Sequence, residues 1–198
     1  MKVRPAGDRA LLLELADNAA AVRVAGRLRV ERDDLVDVVP GHRTVLVTWE
    51  GARRPEGLEA AATAANGDHT DEPTPATVEL TVTYDGRDLR EVAELTGLSQ
   101  EEVVERHRAA TYTVGFVGFA PGFAYLLGLD ERLIVPRRSE PRTRVPGGTV
   151  AIAGPYSGVY PRESPGGWRL LGRTDAVLFD AGREQPALLL AGDRVRFR

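Results

Sequence analysis

Apolar and polar positions alternate along this chain in two registers, one before residue 66 and one after residue 76. In the first, residues 10–15 (Ala-Leu-Leu-Leu-Glu-Leu) read as a strand, and Asn18 is placed to cap a helix running toward Arg29. Residues 35–39 and 44–49 alternate around Pro40-Gly41 and predict a hairpin, followed by a helix over 55–65. The order β-α-β-β-α predicts a small α+β domain, ferredoxin-like if one more strand completes it. Residues 66–76 carry no apolar periodicity and are rich in Asn, Gly, Asp, Thr and Pro, so they read as a linker. The predicted domains are therefore 1–70 and 77–198.

The second register opens with an alternating strand over 78–84. Two short helices follow, each with capping-box spacing: Asp88 with Glu91, and Ser99 with Glu102. Gly97 closes the first of them. Beyond residue 111 the apolar runs are short, as at 150–153, 176–179 and 194–197, and Pro and Gly separate them. Many short strands are best protected by closure, so a mainly-β barrel is expected.

Residues 109–129 hold no charge over about the length of a membrane span, yet Pro121 and glycines 115, 118, 122 and 128 favour strands and turns over a helix. The 198 residues carry a net charge of −3, which argues against attraction to nucleic acid or an anionic membrane. All basic residues except Lys2 are arginine. Without cysteine there is no disulfide, thiolate or cysteine zinc chemistry. The first residues lack the apolar core of a signal peptide, and a cytoplasmic location is expected.

The chemistry-bearing residues gather between 107 and 174. His107 shares a helix face with Val103 and Val104, as either a hydrogen-bonded core histidine or a proton-transfer group. Arg137, Arg138, Arg142 and Arg144 lie on an extended stretch bounded by prolines. Either they are solvated, or they clamp a carboxylate or phosphate, with Arg142 the most constrained and Arg173 a second candidate. The Ser164-Pro-Gly-Gly-Trp168 loop turns sharply, so the Gly166 and Gly167 amides either cradle an anion or simply shape a turn. The 88–108 helix pair has helix-turn-helix spacing, but Glu101, Glu102 and Glu105 would face phosphate, which excludes DNA binding. There is no nucleophile elbow, His-Glu-x-x-His motif or phosphate-binding P-loop; no metal site is expected.

Gly118-Phe-Ala-Pro-Gly-Phe-Ala-Tyr-Leu126, Leu133-Ile-Val-Pro-Arg-Arg138, Pro141-Arg142, Val150-Ala-Ile-Ala-Gly154, Gly158-Val-Tyr-Pro161, Ser164-Pro-Gly-Gly-Trp168 and Gly172-Arg-Thr174 together resemble the allophanate hydrolase subunit 1 family. The resemblance covers the chain and is strongest over 115–174. It departs at Pro155-Tyr-Ser-Gly158, where the family usually carries Gly-Gln-Thr-Gly, and at Gly147-Gly-Thr149, where it usually carries Ala-Gly-Ser. The resemblance implies a cyclophilin-like barrel as the second domain. It also implies a role as the B subunit of an ATP-dependent 5-oxoprolinase that opens 5-oxoproline to glutamate. The A and C subunits of that enzyme, the latter of the allophanate hydrolase subunit 2 family, would be partners, with ATP used by the complex. In that setting His107 and Arg142 are the candidate catalytic residues. Phe119, Pro121, Gly122, Arg137, Gly166, Gly167 and Arg173 are candidates for binding substrate or anion. The alternative is a non-catalytic, KipI-like inhibitor of a histidine kinase.

Overall fold

Strand β1 (Lys2–Pro5) precedes every element that the hydrophobic pattern announces. It pairs antiparallel with β2 (Ala10–Glu14), which pairs with β4 (Thr44–Thr48), and β4 pairs with β3 (Asp37–Pro40). Helices α1 (Asn18–Glu31) and α2 (Leu58–Gly67) complete this part, and both bury one apolar face, Ala21, Val24 and Leu28 from α1 and Leu58 and Ala62 from α2, in one core with Leu11, Leu13, Val45 and Val47. The cap of α1 is Asp17, whose carboxylate accepts from the Ala20 amide, and not Asn18. The computed structural model describes residues 1–67 and 75–198. The chain forms two compact units, Met1–Thr74 and Pro75–Arg198. The central stretch of the expected linker, and His69 within it, lie outside the described residues.

The ferredoxin-like expectation is corrected by the strand order β1-β2-β4-β3. The additional strand comes before the first predicted strand, not after the second helix, and all pairings are antiparallel. β1 escaped detection because it is an exposed edge carrying Lys2, Arg4 and Pro5, with no apolar alternation to reveal it.

The second unit starts with β5 (Thr77–Leu80), then α3 (Leu89–Thr96) and α4 (Gln100–Ala109). The strands that follow are β6 (Tyr112–Val117), β7 (Ala124–Leu127), β8 (Arg142–Val145), β9 (Thr149–Ala153), β10 (Tyr156–Val159), β11 (Ser164–Gly166), β12 (Arg169–Arg173) and β13 (Arg194–Phe197). Seven of these unite in one curled sheet, ordered β12-β9-β10-β7-β6-β13-β5. Only β5 and β13 run parallel. β8 and β11 form a separate ribbon.

The expected closed cyclophilin-like barrel is also corrected. The sheet is a half-barrel whose end strands, β12 and β5, share no continuous ladder; a single bridge joins Thr83 to Arg173 beyond β5. The strand expected over 176–179 does not enter the sheet. Its backbone turns to its own returning segment, through Leu188 N to Leu178 O (2.9 Å) and Asp180 N to Pro186 O (2.9 Å).

Both faces of the central strands are covered, which explains the fully buried run Thr149–Ala153. Val150 and Ile152 face a core shared with Val92 of α3 and Val103 of α4. Ala151 and Ala153 face a second core built around Phe123, Tyr160 and Trp168. That aromatic face positions the candidate site.

Candidate functional site

Two turns in succession shape the segment between β6 and β7. The Ala120 amide donates to Gly118 O (2.8 Å) around Phe119, whose φ is +68°. This is a γ-turn of the rare, strained hand. The Phe123 amide then donates to Ala120 O (2.9 Å) across Pro121-Gly122, with Gly122 at φ +82°. Proline then glycine at those positions is what a type II turn demands. A Cβ at Gly122 would stand 2.7 Å from the Phe179 Cβ, so the turn is seated tightly on the 178–179 segment. Phe119 is driven outward and is 59% exposed, while Phe123 beneath it is 2% exposed. Positive φ on a bulky residue costs on the order of 1–3 kcal/mol. Leaving the ring in water forfeits part of its burial as well.

Beneath the turn lies an aromatic wall. Phe123 meets Trp168 edge-on at 5.3 Å and Tyr160 at 5.5 Å, and Phe119 stands edge-on to Tyr160 at 6.3 Å. The β8–β11 ribbon covers this wall, pairing Gly166 with Arg142. Gly166 passes so close to Tyr160 that a Cβ would lie 2.2 Å from the phenol oxygen. Gly167 O accepts from the Arg138 amide (2.8 Å), tying the ribbon to the 136–141 segment. The Arg137 guanidinium lies over Trp168, 5.9 Å from the ring centroid. Burial pushes the Tyr160 phenol above its ordinary pKa, opposed by a hydrogen bond with the Trp168 backbone and by Arg137 and Arg142 nearby.

Asp88 organises the arginines. The spacing to Glu91 predicts a capping box, but its side chain makes no cap hydrogen bond. Its buried carboxylate instead accepts from Arg142 Nη2 (2.6 Å) and from the Leu170 amide (2.8 Å), with Arg138 at 3.6 Å. Glu91 then bridges Arg138 (3.1 Å) and Arg169. Arg142 and Arg138 each keep one buried N–H, Nη1 and Nε respectively, without a hydrogen-bond partner. Arg142 is thus largely neutralised inside the fold. Arg144 pairs with Glu163, and Arg173 pairs with Asp85.

His107 lies in another environment. It is fully buried, stacked on Phe197 at 4.6 Å. Nδ1 is 2.8 Å from the Tyr84 hydroxyl and Nε2 is 2.9 Å from Ser157 Oγ. Burial drives its pKa down to about 3, so the ring is neutral. A chain in which Tyr84 donates to Nδ1, Nε2–H donates to Ser157, and Ser157 points to Ala151 O (3.5 Å) places every proton. Ser157 is itself fully buried, which removes it as an accessible nucleophile.

The structure therefore brings Phe119, Arg137, Arg142 and Gly166 together around Tyr160 and Trp168, while Pro121 and Gly122 carry the turn that seats on Leu178 and Phe179, and Gly167 packs against Arg138 and Pro141. Among the described residues no hydrogen bond, ion pair or ring contact links His107 to Arg142, and Arg173 borders a different recess, of 260 Å³, with Glu79, Thr83 and Asp175. Sequence reasoning missed Asp88 and Tyr160. Asp88 was legible only as a helix cap, and Tyr160 carried no signal beyond its place in Gly158-Val-Tyr-Pro161.

Known proteins are similar to this chain in sequence and in fold. The chain is 42% identical to the 5-oxoprolinase B subunit of Escherichia coli O157:H7 over 205 residues, covering 96% of this chain and 92% of the relative. The crystal structure of TTHA0988 superposes with a TM-score of 0.84 at 38% identity, covering 96% of this chain. This chain spans only 39% of the TTHA0988 chain. The Kluyveromyces lactis urea amidolyase, 22% identical with a TM-score of 0.76, shares the fold over 99% of this chain and 14% of its own. The sequence pattern described as "Carboxyltransferase domain, subdomain C and D" matches residues 1–189, and this chain belongs to that family, within the allophanate hydrolase subunit 1 group.

Proposed function

We propose that the chain is the B subunit of an ATP-dependent 5-oxoprolinase, working with the A and C subunits in the cytoplasm to convert 5-oxoproline to glutamate. One observation carries this reading. Phe119 and Arg137 stand exposed at the edge of the buried aromatic wall, while the His107–Ser157 pair is sealed in the core. The site accordingly supplies one wall for binding, and the partners supply the remaining chemistry. Likeness to relatives named as 5-oxoprolinase B subunits supports the choice of substrate. Opening a lactam requires an activated carbonyl, and ATP used by the complex provides the driving force. Arg142, held by Asp88, shapes the wall from behind.

The test is reconstitution. Glutamate release from 5-oxoproline is expected only when this chain, both partner subunits and ATP are all present, and not from the chain alone. Turnover by the isolated chain, or none by the full assembly, refutes the reading. Inhibition of histidine-kinase autophosphorylation by a chain inactive in the assembly would establish the regulatory alternative.

A further inference from the structure

We propose that Arg137 and Phe119 form a subsite that reads the carboxylate of a small cyclic acid, Arg137 binding the carboxylate and Phe119 covering one face of the ring. Of the arginines around the aromatic wall, Arg138, Arg142, Arg144 and Arg169 each already engage an acidic side chain. Among the described residues Arg137 engages none. Its guanidinium instead lies over Trp168, a contact that leaves its charge uncancelled. A planar fork beside an aromatic wall and left uncompensated suits a carboxylate.

Phe119 supplies the second half. The turn that carries it is closed by three backbone hydrogen bonds, from Ala120 to Gly118, Phe123 to Ala120 and Gly118 to Phe123. The ring is therefore presented rigidly. Tyr160 is the shared neighbour, with Phe119 edge-on to its ring and Arg137 close enough to act on its phenol. Its hydroxyl is occupied by the Trp168 backbone and by the close approach of Gly166. The two groups left to a ligand are one cation and one aromatic face. A compact ring bearing a carboxylate satisfies both; a long flexible acid would use only the cation.

The proposal rests on the oxoprolinase reading only in its choice of probe. 5-Oxoproline and 2-pyrrolidone share a lactam ring and differ by the carboxylate. In NMR titration of the full chain, 5-oxoproline is expected to shift the Trp168 indole and Phe119 ring signals and to bind about tenfold or more tightly than 2-pyrrolidone. Arg137→Gln should erase that difference, Arg137→Lys should restore part of it, and Arg144→Gln should leave it intact. Phe119→Ser should weaken both ligands equally. Equal binding of the two probes by the unaltered chain, a preference that survives Arg137→Gln, or no binding of any cyclic carboxylate overturns the proposal. Binding of cyclopentanecarboxylate through Arg137, together with no turnover of 5-oxoproline by the assembled subunits, would uphold the subsite and remove the oxoprolinase reading.

Discussion

His107 shows how one residue type supports two opposite readings until its surroundings are known. Its helix-face position beside Val103 suits a core residue and a proton carrier equally. The structure gives it two hydrogen-bond partners, a stacked Phe197 and no exposure. Replacing it by Ala should cost about 3 kcal/mol or more, through the cavity and the unpaired Tyr84 and Ser157 hydroxyls. The pH dependence has a definite sign. With a folded pKa of about 3 against 6.5 in the unfolded chain, protons bind preferentially to the unfolded state between those values. The His107 contribution is intact above pH 6.5 and falls as the pH drops toward 3, by about 1.4 kcal/mol per unit. A His107→Gln variant lacks that term, so its stability deficit in urea melts should shrink between about pH 7 and 4. A constant deficit would mean that the ring is not buried neutral.

Among the elements, what the sequence revealed depended on where each backbone hydrogen bond had to go. Ser99 forms its full capping box with Glu102, and Gly97 closes α3 at φ +67°, because both signals are local. Asp88 has the same spacing to Glu91 but surrenders the cap to an arginine 54 residues away, which no local pattern announces. The uncharged stretch after residue 109 becomes β6 and β7, and no described helix is long and apolar enough to cross a membrane. Residues 176–179 form a strand-like apolar run but pair with their own returning segment. Candidate site residues were legible as glycine, proline and arginine spacings; which arginine remained unneutralised was not, since that depends on Asp88, Glu91 and Glu163. The β8–β11 ribbon offers a test. Gly166→Ala should be destabilising by about 2 kcal/mol or more, because its Cβ must displace Tyr160 from the wall. Gly154→Ala, with nothing within 4 Å, carries only the positive-φ penalty and is expected to cost less in thermal melts.

At the scale of the molecule, each unit has its own core, and residues 75–198 are expected to fold without the first unit. Cooperative urea unfolding and a dispersed NMR spectrum of that fragment would show it; a collapsed, ANS-binding state would contradict it. The placement of β13 carries a consequence for how the fold is reached. It sits between β5 and β6, pairing Arg194 with both Thr77 and Thr113, and Glu79 meets Arg198 across 119 residues. β5 has no sheet neighbour until β13 arrives. During synthesis β5 and one edge of β6 therefore wait, unpaired, for nearly the whole second unit to leave the ribosome. Closing so long a loop is slow, and an open strand edge invites the wrong partner in the meantime. The yield of the unit should therefore fall steeply when the arrival of β13 is delayed, and a holding chaperone present during synthesis should restore it.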